Sequence, residues 1–309
     1  MRRWLANLII DLGHRLGGFL GPDGLLTRAG MENFRSGIDD AMRGMQEESQ
    51  RRQKLGLLDM QRPDRWRSYW YMQQGYLAEP TNQPTGHWQG GPPQHANAVC
   101  PFCEKPLLLY WDIDCRDPRF AAESPELFAG LERLPLYHCW RCPEPTVYQV
   151  LPGGPIAMLK PEKKSSEESP FENLPAEFRK TAIQLNPLPR EIANLLIIAE
   201  DFSEQWLSAE EHRRLRTFFG NDPEVQSWTS PDQFGGAPSF MQGRREIRCP
   251  NPGCLTHQMG HPLERRNSVL KDLAAIEPDE SFGVSDQFAQ VAFHLCWKCN
   301  TVHAEYRCT

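Results

Sequence analysis

Two apolar runs along the chain end on the same polar signature. Residues 134–140 lead into Cys139-Trp140-Arg141-Cys142, and Phe293-His294-Leu295 lead into Cys296-Trp297-Lys298-Cys299. Short runs of this kind, bounded by Pro and Gly, predict buried strands. The pattern gives strands at 106–113, 134–140, 146–151 and 182–185, the third closed by Pro152-Gly153-Gly154. Pro135 falls near the start of its strand, where a missing N–H is tolerated.

Helical spacing appears elsewhere. Leu5, Leu8, Ile9, Leu12, Leu16 and Leu20 form one face over residues 1–20. Phe34, Ile38, Met42 and Met45 do so over 30–56, and residues 190–200 predict a third helix. Ser208 and Glu211 have capping-box spacing and open a helix that ends at Gly220. Residues 74–98, rich in Gly, Pro, Asn, Gln and Thr, predict a loop, and the charged stretch 160–170 predicts a linker.

The cysteines change the picture from strands to sites. Cys100-Pro-Phe-Cys103 precedes the first signature, and Cys249-Pro-Asn-Pro-Gly-Cys254 precedes the second. Two close pairs separated by a structured excursion are spaced for a tetrahedral metal ion, as in a zinc ribbon. The expected ligands are Cys100, Cys103, Cys139 and Cys142 for one zinc, and Cys249, Cys254, Cys296 and Cys299 for a second. All-cysteine sets leave no open position, so both ions are expected to be structural. A redox dithiol at Cys100 and Cys103 would need a helix after the first cysteine, and Pro106 opposes one. Cys115 and Cys308 have no equivalents and read as spare thiols. His138, His294 and His303 flank the knuckles as hydrogen-bonding neighbours, and His257 and His261 read as loop residues.

The likeness extends past the cysteines. Gly90-Gly91 and Gly235-Gly236 precede the two knuckles, Ile113-Asp114 and Ile276-Glu277 end corresponding strands, and Tyr148 and Tyr306 follow in the last strands. A duplication accounts for this order. The expected class is α+β: two duplicated β-rich lobes, each with a zinc-ribbon-like four-cysteine site, and an N-terminal helical arm. The expected boundaries are 1–76 for the arm, 85–159 for the first lobe, 160–178 for the linker and 179–309 for the second lobe.

Composition narrows function mainly by exclusion. A net charge of -6 over 309 residues argues against coating nucleic acid. The basic-aromatic cluster from Arg62 to Tyr71 has the residues to stack bases, although aromatic anchors with apolar-stemmed arginines also suit a protein contact. Asp112, Asp114, Asp117 and Arg119 gather carboxylates at a strand end, either as a turn or as acid-base groups. No phosphate-cradling glycine loop, serine elbow or HExxH helix occurs. No run reaches the roughly 18 apolar residues of a membrane span. With no export signal and metal-spaced cysteines, a cytoplasmic, non-enzymatic protein is expected.

Gly90, Gly91, Pro93, Cys100, Cys103, Lys105, Pro106, Ile113, Asp114, Cys139 and Cys142, with Gly235, Gly236, Pro238, Cys249, Cys254, Cys296 and Cys299, form a wider pattern. Over residues 85–155 and 230–309 it resembles the YwqG-like family of bacterial proteins and, more distantly, the programmed cell death 2 proteins of eukaryotes. The second lobe departs in its four-residue knuckle spacing and lacks a Lys-Pro-Leu run. Some bacterial members look like companions of toxin systems, and the eukaryotic relatives are similar to chaperones that hold a ribosomal protein during assembly. The resemblance implies protein binding through a β-rich surface. The expected function is a zinc-stabilised protein-binding module, a chaperone or assembly factor for a basic partner. The alternatives are a toxin-neutralising, immunity-type protein or a nucleic-acid-binding zinc ribbon. Exposed sheet edges, or a groove between the lobes, would hold the partner strand.

Overall fold

The computed structural model describes residues 71–159, 175–202, 207–220, 232–254 and 270–308, apart from 73, 125–126, 242–244, 246, 279–281 and 283–288. The expected helices over 1–20 and 30–56, the cluster from Arg62 as far as Trp70, the linker at 160–170, His257 and His261 lie outside these residues, as does the side chain of Cys308.

The strands are β1 (Gly75–Thr81), β2 (His87–Gln89), β3 (Leu108–Asp114), β4 (Arg133–His138), β5 (Thr146–Val150), β6 (Ile156–Met158), β7 (Thr181–Pro187), β8 (Gln233–Gly235), β9 (Lys271–Ile276), β10 (Ala289–Leu295) and β11 (Thr301–Cys308). They form a single antiparallel sheet in the order β4-β3-β2-β7-β1-β8-β9-β10-β11-β5-β6. Outward from the central β7–β1 pair the order runs β2, β3, β4 on one side and β8, β9, β10 on the other. Each central strand therefore pairs with a strand from the other half of the chain. Tyr76 of β1 stands opposite Phe234 of β8, and Ile183 of β7 opposite His87 of β2. The segment 74–98, expected as a loop, contains β1 and β2. Pro80 and Gly86 dilute their apolar signal, and long-range pairing supplies what local propensity lacks.

The sheet curls around its core. Tyr110, Trp111, Leu136, Tyr148, Phe234, Phe293 and Val302 are buried together in one cluster. β3 is buried at every position but the last because both of its faces are covered. On β10 the two faces divide the work. Val291, Phe293 and Leu295 enter the main core, whereas Ala292 packs with Ala275 under Phe240.

Curling brings β4 beside β5 without a backbone ladder. Side chains close the seam instead. The Tyr148 hydroxyl accepts the Tyr137 N–H at 2.8 Å and donates to the Pro135 carbonyl at 2.7 Å, and Thr146 Oγ1 accepts the Cys139 N–H at 2.9 Å. At the other end of the sheet the Ile156 N–H donates to the Ala96 carbonyl at 3.2 Å, and Asn97 Nδ2 donates to the Ile156 carbonyl at 3.4 Å. Both end strands are thus engaged, which corrects the expectation of free edges for strand addition. Tyr148→Phe is expected to leave two buried main-chain groups without partners, at roughly 2–4 kcal/mol in urea unfolding. A loss under about 0.5 kcal/mol would mean that the seam is held by something else.

Three helices are described: α1 (Pro118–Glu123), α2 (Arg190–Phe202) and α3 (Ala209–Phe218). Asp117 caps α1, and its Oδ1 accepts the Arg119 N–H at 2.9 Å. The capping box forms as predicted, with Glu211 N–H donating to Ser208 Oγ and Ser208 N–H donating to Glu211 Oε2. α2 and α3 bury Ile192, Leu195, Leu196 and Leu215 in a small cluster with Leu188 and Leu77. Among the described residues no helix is long and apolar enough to cross a membrane.

Candidate metal centres

Two hairpin turns show how this sequence presents sulfurs. In the first, the Cys100 N–H donates to the Lys105 carbonyl and the Glu104 N–H to the Cys100 carbonyl; in the second, the Cys296 N–H donates to the Thr301 carbonyl and the Asn300 N–H to the Cys296 carbonyl. Both turns reverse on a non-glycine residue with positive φ, Glu104 at 57° and Asn300 at 55°. Such a turn points main-chain N–H groups at its cysteines. The remaining pairs arrive on the chain leaving β4 and on the Pro250-Asn251-Pro252-Gly253 turn, where Asn251 Oδ1 accepts the Gly253 N–H at 2.9 Å.

The sulfurs converge as the spacing predicts. Cys100, Cys103, Cys139 and Cys142 form one group, and Cys249, Cys254, Cys296 and Cys299 the other, with all sulfurs of a group within 4.8 Å of one another. The close pairs are Cys100–Cys142 and Cys103–Cys139 at 3.7 Å, Cys249–Cys299 at 3.6 Å and Cys254–Cys296 at 3.8 Å. A tetrahedron of sulfurs about 2.3 Å from a central ion has edges of about 3.8 Å. A disulfide would put two sulfurs about 2.0 Å apart, and these cysteines are free.

Electrostatics within each group point to a cation. Hydrogen bonding with Cys139, then main-chain N–H groups of Cys103 and Phe102, holds Cys100 down to about 5, while burial pushes Cys142 up to about 12. In the second group hydrogen bonding with Cys249 and Cys296 holds Cys299 down to about 2, while hydrogen bonding with Cys296 and Cys299 pushes Cys249 up. In each cluster one thiol is held low while others, Cys139 and Cys142 in the first and Cys249 and Cys296 in the second, are pushed up, since like charges so close would repel. A divalent cation removes that repulsion and takes the place of the protons.

The second group carries more polar support. Asn251 Nδ2 donates to Thr301 Oγ1 at 3.2 Å and lies 3.8 Å from Cys299 Sγ, which is 3.0 Å from Thr301 Oγ1. Gln149 of β5 donates from Nε2 to the Cys299 carbonyl at 2.9 Å, and its Oε1 accepts from Asn251 Nδ2 at 3.2 Å. Cysteine spacing alone does not reveal Gln149, Thr146 or Thr301. The asparagine between two prolines was the only local hint of this network.

Repeated motifs diverge in place. Trp140 is buried, donates from Nε1 to the Tyr110 hydroxyl and stacks on Tyr306; Trp297 is 43% exposed, with Lys298 Nζ 3.7 Å from its ring centre. Tyr148 seals the seam, whereas Tyr306 packs against Trp140 and His138, so the two tyrosines do different work. Cys115 is half-buried, hydrogen-bonded to the Ile113 carbonyl and pushed up by burial.

The described histidines beside the clusters fall outside both four-cysteine groups. His138 Nδ1 meets Thr146 Oγ1 at 3.0 Å, and His294 Nδ1 donates to Asp272 Oδ1 at 3.0 Å. Burial lowers His138 to about 3 and His303 to about 4. Both stay neutral in the fold, so the unfolded chain binds more protons once the pH drops below the usual histidine value of about 6.5. Stability is complete above that value and is lost between about 6.5 and 4 for His303, reaching about 3 for His138. His303→Gln is expected to flatten the fall between pH 6.5 and 4 by up to about 1.4 kcal/mol per unit. An identical pH slope in the variant would contradict this.

The acidic cluster is internally satisfied. Arg133 holds Asp112, Arg116 holds Asp114 and Arg119 holds Asp117. His87, 1% exposed, accepts the Asp114 N–H at Nδ1 and bonds Asp117 through Nε2 at 3.0 Å. These groups tie β2, β3, β4 and α1 together. A shallow notch beside the first cysteine group, lined by Phe102, Glu144, Val147 and Met158, has essentially no room for a water-sized molecule. Ligand pockets typically enclose about 300–1,000 Å³. Compared with family models, curated proteins and solved structures, the chain matches none, so the geometry of the two four-cysteine groups carries the reading of its function.

Proposed function

We propose that the protein is a non-enzymatic binding scaffold whose curled sheet is fixed by two structural zinc ions. The observation that carries this is the pair of all-sulfur groups, with their 3.6–3.8 Å edges. Zinc suits four thiolates without redox chemistry, and four protein ligands leave no position for a substrate. When bound, the ion supplies positive charge and a fixed geometry. The chain's own residues supply the sulfurs, the N–H groups aimed at them and the amide network around Cys299.

The sheet order, mirrored about β7–β1, supports a duplication in which each half lends its first strand to the other. This agrees with the resemblance to the YwqG-like proteins and, through them, to the programmed cell death 2 chaperones. The partner is a protein with a basic segment, matched to the net charge of -6. Because the end strands are engaged, recognition runs through side chains rather than by strand addition. Toxin neutralisation would use the same surface.

The test is capture by the zinc-loaded chain from native lysate, with quantitative mass spectrometry and a salt series. A basic protein retained at low salt and lost at high salt is the expected result. Retention of nucleic acid that survives nuclease-free washing but not nuclease treatment would overturn it in favour of the zinc-ribbon nucleic-acid alternative.

A further inference from the structure

We propose that Gln149 is a positioning residue for the second cysteine group: from β5 it clamps that group's two knuckles at metal-binding distance. The proposal rests on the reading of the cysteine groups as metal centres. The second group is assembled from two turns that are distant in sequence, one carrying Cys249 and Cys254, the other Cys296 and Cys299. The Gln149 amide reaches both, donating to the Cys299 carbonyl at 2.9 Å and accepting from Asn251 at 3.2 Å. Asn251 passes the contact inward, to Thr301 Oγ1 and towards Cys299 Sγ. One side chain therefore fixes the separation of the knuckles and the orientation of the amide nearest the sulfur. Partners of this kind hold ligands in register, and their loss costs about 10–100-fold in metal affinity.

Among the described residues, Gln149 bonds to the second group and no matching bridge joins the two knuckles of the first. β5 and β11 pair so that Thr301 stands opposite Gln149 and Thr146 opposite Ala304. Each threonine adjoins its own cysteine group, Thr301 at Cys299 and Thr146 at the Cys139 N–H. Across the ladder, Thr301 faces a residue with an amide arm and Thr146 faces a methyl group. The two positions are alike in register and opposite in reach. Metal retention at the second group therefore depends on Gln149, whose amide bonds Cys299 and Asn251 of that group.

The test uses the full chain loaded with two equivalents of zinc and challenged with excess chromophoric chelator. Timed alkylation and peptide mass spectrometry identify which cysteines are freed. Gln149→Ala is expected to speed the release of one equivalent about 10–100-fold, exposing Cys249, Cys254, Cys296 and Cys299, while the first group releases within about two-fold of wild type. Asn251→Ala is expected to do the same, and the double variant to exceed the worse single variant by little, because both act through one contact. General weakening of the sheet would speed both groups together. Two bound equivalents with unchanged release in Gln149→Ala, or equal acceleration at both groups, would overturn the clamp and leave the metal centres standing. A wild-type chain that takes up no zinc would remove the metal reading itself, and the clamp with it.

Discussion

Cys139→Ser is expected to bind one equivalent of metal fewer than the wild type and to lose most of its folding stability. Its sulfur sits 3.7 Å from that of Cys103, and its N–H is held by Thr146 of β5, so site and seam meet at this residue. Binding of a structural zinc by thiolates is worth about 10–16 kcal/mol in small metal-folded peptides. Whole domains are stable by only about 5–15 kcal/mol. A serine hydroxyl is a poor ligand for this ion, so the variant forfeits a large part of that free energy. The damage is not expected to stay within the first half. β11 pairs with β5, and β1 and β7 each pair across the halves. Thermal unfolding should therefore move as one transition, by more than about 10 °C. A variant with wild-type metal content and melting temperature would refute the assignment of Cys139.

Gly90→Ala is expected to cost about 3–5 kcal/mol, the sum of left-handed backbone strain and overpacking. Gly90 has a φ of +65°, and a Cβ there would lie 2.2 Å from the Arg179 carbonyl oxygen. Gly235 repeats the arrangement at +71°, where a Cβ would meet Met72 Cγ at 2.5 Å and the Gln74 carbonyl oxygen at 2.6 Å. Each glycine thus lets the chain pass under the segment that leads into a central strand, β7 in one case and β1 in the other. Gly153, with a φ of +81° and nothing within 4 Å of its would-be Cβ, separates strain from crowding. Gly153→Ala should lose only about 1–2 kcal/mol. Equal losses at Gly90 and Gly153 in urea unfolding would show that close approach is not what requires the glycine pair.

What the sequence reveals follows from how local each signal is. β3, β4 and β5 were legible because apolar runs bounded by Pro and Gly need no distant partner to be recognised. α3 was legible from Ser208 and Glu211 alone. The eight cysteines were legible because zinc-like spacing is a local constraint on two turns. The strand exchange was not, since nothing around Tyr76 announces Phe234 or Pro187 as its neighbours across the ladder. Trp140 and Trp297 make the same point: both stand in a cysteine-tryptophan-basic-cysteine motif, one roofed by Tyr306 and the other left exposed. Gln149 gave no signal because its role exists only once β5 lies on β11.

The most direct test of the central claim is metal content per chain by mass spectrometry on purified protein, with thiols counted before and after acid release. Two zinc ions per chain, with eight cysteines shielded from alkylation until the metal leaves, are predicted from the two four-sulfur groups. A folded chain carrying no metal, or one whose eight cysteines prove to be paired as disulfides, would contradict it.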